Sequence, residues 1–222
     1  MIRSELLQSA LISAHGFGKR GVPVESYIGG LGIEACRHFQ TNQIHGNRVH
    51  RLPVRGGGDA LQGDAFMTDE PGVVCSVRTA DCVPIIIADI RRGAVAAVHA
   101  GWRGTACDVA GATIGEMSRA FETEPADCVA AIGPRICGRC YEVGEEVVNG
   151  IEALGIGGEW RRGGSRVDLG AANFELLARA GIPRANIEML PYCTRCDESF
   201  ASYRRDRSDS ERQVNFVVIR DR

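Results

Sequence analysis

A chain of 222 residues, 44% hydrophobic and 24% charged, has globular proportions and can bury a full core, so we expect one domain over 1–222. A formal net charge of −2 supplies no general attraction for nucleic acid or an acidic membrane, and no apolar run reaches the ~18 residues of a membrane span. The nine cysteines are scattered through apolar segments and loops, unlike a dense secreted framework; they read as reduced thiols of a cytoplasmic, monomeric protein acting on a small molecule.

In chain order, the apolar start from Leu6 to Ala14 is interrupted by Gln8, Ser9 and Ser13, and we do not expect a targeting segment there. The following HGFGKRGVPVESYIGGLG is turn-rich, and Lys19 and Arg20 beside Gly21 read as a solvated basic turn or an anion contact. TNQIHGNRVHRLP reads as a strand ending in a polar turn that carries His45, with His50 close behind. The glycines 56–58 predict a flexible turn, and GDAFMT leads into a strand over Gly72–Val77.

The stretch Thr79–Gly104 is the centre of the reading. Val83–Ala88 and Ala94–Val98 are short apolar runs around Arg91-Arg92-Gly93, which predicts two buried antiparallel strands. Pairing them symmetrically about the turn gives partners whose positions sum to about 181–183, which sets Cys82 opposite His99. Cβ atoms so paired lie about 5 Å apart, a separation that suits two ligands of one Zn²⁺ or a thiol activated by an imidazole. GWRGT then opens a helix predicted over Arg103–Phe121, with apolar residues recurring at helical spacing. Arg103 in its first turn is read equally as part of an anion seat and as a cap on a neighbouring carbonyl.

Cys128–Ile132 predicts a buried strand closed by Gly133-Pro134, and Val143–Leu154 a helix. Asp168 is the expected N-cap of a helix running through Ala180 to Gly181. Ile187–Leu190 and Val214–Ile219 predict strands, separated by a polar loop that carries Arg204 and Arg205. Strands and helices intermixed about a central hairpin predict a mixed α/β layered sandwich with mixed sheets rather than a doubly wound parallel sheet.

Three metal readings compete. Cys137-x-x-Cys140 and Cys193-x-x-Cys196 form a paired pattern of structural zinc sites, weakened by an interval, 141–192, much longer than the usual ~15–20 residues. A multicopper centre needs more imidazoles than five histidines supply. A third set, His45, Cys82 and His99, offers mixed nitrogen and sulfur ligands and leaves a fourth position open, as in catalytic zinc sites, although spacing alone does not bring His45 near.

TADCVPIIIAD and AVAAVHAGWRG, with QIHGNRV, GDAFMT, AAIGPRIC, CYEVG, VDL and the closing CT, SFASYRRD and RQ, resemble the laccase-domain family from about His15 to Ile219. Its members are described as polyphenol oxidases and as purine nucleoside phosphorylases with adenosine deaminase activity. The resemblance implies that His45, Cys82 and His99 bind a catalytic Zn²⁺, or copper in the oxidase description. The implied reactions are phosphorolysis of adenosine, inosine and methylthioadenosine and deamination of adenosine; phosphorolysis needs cationic groups to hold phosphate, and Arg103 and Arg204 or Arg205 are the candidates we read for that task. The sequence does not identify the proton donor; Asp81 adjoins Cys82 and Glu142 follows the motif tyrosine Tyr141. The sequence departs from the family pattern at Gly18–Val22, at a shortened segment over 30–43, and at Glu211, where glycine is usual. Cys82 as a nucleophile with His99 as its base, in an amidase of peptides or amino-sugar peptides, is the alternative.

Overall fold

The structure, a computed structural model, describes residues 1–9, 13–29, 37–39, 41–53, 61–207 and 211–219. The glycine turn expected at 56–58 and most of the shortened segment over 30–43 lie outside them. The chain begins with α1 (Glu5–Ser9), β1 (Ser13–Phe17), α2 (Val24–Ile28), β2 (Arg37–His38), β3 (Thr41–Asn42) and β4 (Val49–Arg51). It continues with β5 (Leu61–Gln62), β6 (Ala65–Thr68), β7 (Val73–Thr79), β8 (Val83–Asp89), β9 (Val95–Ala100), α3 (Trp102–Ala106) and α4 (Val109–Phe121). It closes with β10 (Cys128–Ile132), α5 (Glu145–Glu152), α6 (Leu169–Arg179), β11 (Ile187–Met189), α7 (Tyr203–Asp206) and β12 (Gln213–Ile219).

A six-stranded sheet in the order β11-β10-β8-β9-β6-β4 faces a four-stranded sheet ordered β1-β12-β7-β2, and β3 pairs with β5. Both larger sheets are mixed: β10–β11, β4–β6 and β2–β7 run parallel, and the other pairs antiparallel. The hairpin β8–β9 is central because both its strands are buried at every position and, apart from Asp89 and His99 near their ends, apolar throughout. Val83, Ile85 and Ile87 face a layer formed by α4, α5 and α6, while Ile86 and Ala88 face the four-stranded sheet. A strand with period-two side chains can be apolar throughout only when both faces are covered. The far side of the four-stranded sheet is covered in turn by Val24 and Ile28 of α2. The result is the layered α/β sandwich that the element pattern predicts. Each buried Ile contributes roughly 1.5–3 kcal/mol of transfer free energy, so the hairpin is also an energetic centre.

Two details differ from expectation. In the hairpin, Pro84 pairs with His99 and Val83 with Ala100, so Cys82 lies diagonal to His99 and not opposite it. Alternation keeps the two on one face, within reach of each other. The single helix expected over Arg103–Phe121 is two helices, because Asp108 takes a left-handed conformation (φ 54°) between α3 and α4. Its carboxylate caps the amide of Gly111 at 2.9 Å and pairs with Arg179 at 2.9 Å, which stabilises the break. Asp168 caps α6 as expected, accepting from the Ala171 amide at 3.1 Å.

Candidate functional site

One end of the six-stranded sheet gathers the start of β6, the start of β8, the end of β9 and the turn before β4, as the antiparallel registers require. Ligand atoms of His45, Cys82 and His99 all lie within 4.8 Å of one another there. The two imidazole rings meet edge to face, with centroids 4.9 Å apart. His45 is exposed, Cys82 half-buried and His99 buried.

Asp64 organises this cluster. It stands just before β6, directly across from His99, whose amide donates to the Asp64 carbonyl at 2.7 Å. Its buried carboxylate meets His99 Nδ1 at 2.8 Å and accepts the amides of His45 at 2.9 Å and Gly46 at 2.8 Å. One carboxylate therefore orients the His99 ring, turning Nε2 toward the cluster, and holds the turn in which His45 adopts a positive φ of 61°. Gln43 fixes the same turn from the other side, since its amide both donates to and accepts from the Arg78 backbone at 2.8 Å.

The electrostatics are those of a strongly interacting set. Burial pushes the Cys82 thiol up, but the adjacent His99 and His45 outweigh it and bring it down to about 6. Burial pushes His99 down, and the Cys82 and Asp64 anions outweigh it and raise it. Burial pushes Asp64 up, and its hydrogen bonds from His99, Gly46 and His45 hold it below the usual carboxylate range.

The residues fit a single metal ion. Gly101 leaves the space open: a Cβ there would lie 3.0 Å from His45 and 3.2 Å from Cys82 Sγ. They do not fit a multicopper centre. Of the remaining imidazoles, His15 accepts the Ser4 amide at 3.0 Å, His38 bonds Ser76 at 2.7 Å, and His50 bonds the Gln62 carbonyl at 2.9 Å.

The cluster opens into a cavity of about 640 Å³, within the size range of small-molecule sites. Trp102, Tyr141 and Tyr203 supply aromatic surface, and Arg78, Arg103, Arg204 and Arg212 supply positive charge. The Arg103 guanidinium lies over the Trp102 ring at 4.3 Å and makes no hydrogen bond or ion pair to a described residue. Arg204 lies over Tyr141 at 5.1 Å and donates to the Glu142 carbonyl at 2.8 Å. Arg205 is placed elsewhere: it donates to the carbonyls of Thr194 and Phe200 at 2.8 Å and grips Asp206 through two bonds of 2.7 and 2.9 Å. It does not line the cavity. Asp81 does line it, but its carboxylate oxygens are taken, one by the Thr194 hydroxyl and the other by the Arg204 amide, both at 2.7 Å. Glu142 is exposed and outside the lining. Two departures from the family pattern meet, since Arg20 pairs with Glu211 and, at 3.2 Å, with Asp206.

A carboxylate, imidazole and thiol in line at the mouth of a cationic cavity are the layout of an enzyme site, and comparison with known proteins bears this out. Residues 25–220 match the family model described as multi-copper polyphenol oxidoreductase laccase, and the chain belongs to that family. It is 38% identical to a purine nucleoside phosphorylase of Deinococcus radiodurans over 82% of this chain and 70% of that protein. It is 44% identical to adenosine deaminase RL5 of an unknown prokaryotic organism over 79% of this chain and 72% of that protein. The crystal structure of YlmD from Geobacillus stearothermophilus superposes with a TM-score of 0.81 at 33% identity, covering 89% of this chain and 78% of that one. The chain is an enzyme.

Proposed function

We propose that the chain is a zinc-dependent purine nucleoside enzyme. It cleaves adenosine, inosine and methylthioadenosine by phosphorolysis and also deaminates adenosine. The observation that carries this is the set of two nitrogens and one sulfur opening on a cavity lined by arginines and aromatic rings. The names of the relatives support the two reaction types, purine nucleoside phosphorolysis and adenosine deamination. Zn²⁺ held by His45, Cys82 and His99 supplies a Lewis acid and lowers the pKa of water toward ~7.

The residues of the chain do the rest. Trp102, Tyr141 and Tyr203 offer flat apolar surface for a purine. Arg103 and Arg204 hold inorganic phosphate against C1′ of the ribose, where a phosphate oxygen replaces the bond to the base and the purine leaves with a proton. In deamination, water adds at C6 and ammonia leaves, with no need for the anion. Asp64 keeps His99 in one tautomer for either reaction. The partners are a nucleoside and phosphate rather than nucleic acid or a membrane, and the working form is a cytoplasmic monomer. Among the described residues no helix is long and apolar enough to cross a membrane.

A second reading is favoured by the Asp64–His99–Cys82 line, which also activates a thiol nucleophile for an amidase or deamidase. Elemental analysis joined to adenosine and inosine turnover, with and without phosphate, separates the two. Turnover lost on chelation and restored by zinc supports the metal enzyme. Turnover that survives full chelation but is lost on alkylation of Cys82 refutes it.

A further inference from the structure

Four thiols gather outside the catalytic cavity. Cys137 and Cys140 belong to the turn after β10, and Cys193 and Cys196 to the loop after β11. These strands pair in parallel, Ala130 with Ile187 through Ile132 with Met189, and a bridge between Arg135 and Cys193 prolongs the ladder. Parallel pairing makes both C-terminal ends emerge side by side, which cancels the long sequence interval between the two C-x-x-C turns.

The four sulfurs lie within 4.8 Å of one another. A tetrahedral site with Zn–S bonds of about 2.3 Å has S···S edges of about 3.8 Å, so closure needs shifts of about 1 Å or less. Cys140 and Cys196 are already 3.4 Å apart. The Cys137 amide donates to Cys193 Sγ at 3.3 Å, a bond that strengthens when the sulfur is a thiolate. The Cys140 and Tyr141 amides close the first turn on the Cys137 carbonyl at 2.9 and 3.1 Å. Arg195 joins the turns by donating to the Cys140 carbonyl at 3.1 Å. Arg135 and Arg139 line the same cleft and oppose the net negative charge of four thiolates on one divalent ion.

We propose that Cys137, Cys140, Cys193 and Cys196 form a second, structural zinc site, independent of the catalytic cluster. Binding converts four thiols into four thiolates and releases their four protons to solvent, with no change of oxidation state. With all four positions filled by sulfur it is closed to substrate. Its role is to staple two walls of the catalytic cavity. Tyr141 follows Cys140 and lines that cavity. Thr194, inside the second turn, holds Asp81 next to Cys82.

The test is zinc content per chain in wild type, Cys82→Ala and Cys193→Ser/Cys196→Ser. The expected result is two equivalents in wild type and one in each variant. Wild type with one equivalent that Cys82→Ala keeps and the serine variant loses supports this site and refutes the catalytic zinc instead. Full wild-type zinc in the serine variant, or none in Cys82→Ala, overturns the proposal. Should the serine variant fail to fold, the cobalt-loaded wild type decides. A sulfur-to-cobalt charge-transfer band of four-thiolate intensity supports the site, and one of single-thiolate intensity overturns it. A native mass short of two hydrogens, from a Cys140–Cys196 disulfide, overturns it as well.

Discussion

Replacing Asp64 with Asn tests whether one buried carboxylate assembles the catalytic cluster. The side chain is fully buried and receives His99 Nδ1 at 2.8 Å and the amides of Gly46, His45 and Ile44 at 2.8, 2.9 and 3.3 Å. Asn has the same shape but keeps one acceptor oxygen and turns an NH₂ toward groups that donate. Each hydrogen bond to a charged group contributes about 1.5–3 kcal/mol, and removing one partner of a buried pair costs about 3–5 kcal/mol. We expect Asp64→Asn to lose about 3–5 kcal/mol of stability in urea unfolding. Zinc affinity, measured by competition with a chromophoric chelator, should fall about 10–100-fold, the usual cost of losing a carboxylate behind a metal-binding imidazole. Asp69→Asn is the control, since its carboxylate pairs with an exposed Arg51 at 3.0 Å and its removal should cost less than about 1 kcal/mol. An Asp64→Asn protein indistinguishable from Asp69→Asn in both measurements would refute the reasoning.

Gly101→Ala places a methyl 3.0 Å from His45 and 3.2 Å from Cys82 and should abolish zinc binding at the catalytic cluster while the far-UV spectrum is unchanged; retained metal and turnover would count against the site. Arg103→Ala should raise the phosphate KM at least ~10-fold and spare adenosine deamination, because the loss of one charge-assisted phosphate contact is worth about 1.5–3 kcal/mol. Arg205→Ala should do the reverse, costing about 1–3 kcal/mol of stability with little effect on the phosphate KM. His15 is depressed to about 4 by burial and by Arg3, so it is neutral in the fold and its protonation favours the unfolded chain. Stability is complete above the unfolded value of about 6.5 and falls as pH drops toward 4, by roughly 2 kcal/mol between pH 7 and pH 5. His15→Gln should remove that part of the pH dependence, and equal slopes for both proteins in urea titrations would exclude His15 as its source.

The hairpin was legible because both signals that specify it are local: apolar strands flanking a polar turn, and a Cys and a His at their open ends. The α6 cap at Asp168 was legible for the same reason. Asp64 was not, since its role depends on the pairing of β6 with β9, which no local pattern announces; the available hint was an acid immediately before the apolar run AFMT. Gln43 and Arg78 stand beside proposed ligands in sequence and escaped because their significance lies in pairing with each other across 35 positions, while Arg212 reaches the cavity from a distant segment. The break at Asp108 carried a usable signal, an N-capping residue directly ahead of the apolar stripe of α4, that helical periodicity masked. Arg204 and Arg205 are adjacent in sequence but about 100° apart around α7, so one faces the cavity and its neighbour turns to the carbonyls of the preceding loop.

The layout of the sheet separates chemistry from recognition. His99 and Cys82 flank paired strands, and the turn of His45 is tied to Asp64 at the start of a third, so the donor set inherits the rigidity of the most buried part of the molecule. The groups that would contact a base or an anion stand instead on helix starts and loops: Trp102 and Arg103 on α3, Tyr141 after the first cysteine turn, Tyr203 and Arg204 on α7. Asp81 joins the two sets. It precedes Cys82, accepts from Thr194 in the second cysteine turn and caps the Arg204 amide. A change in the cysteine turns can therefore shift Arg204 and Tyr141, and with them substrate affinity, without moving Asp64, His99 or His45. Loosening those turns should alter KM before it alters metal content at the catalytic cluster, whereas damage at Asp64 should do the opposite.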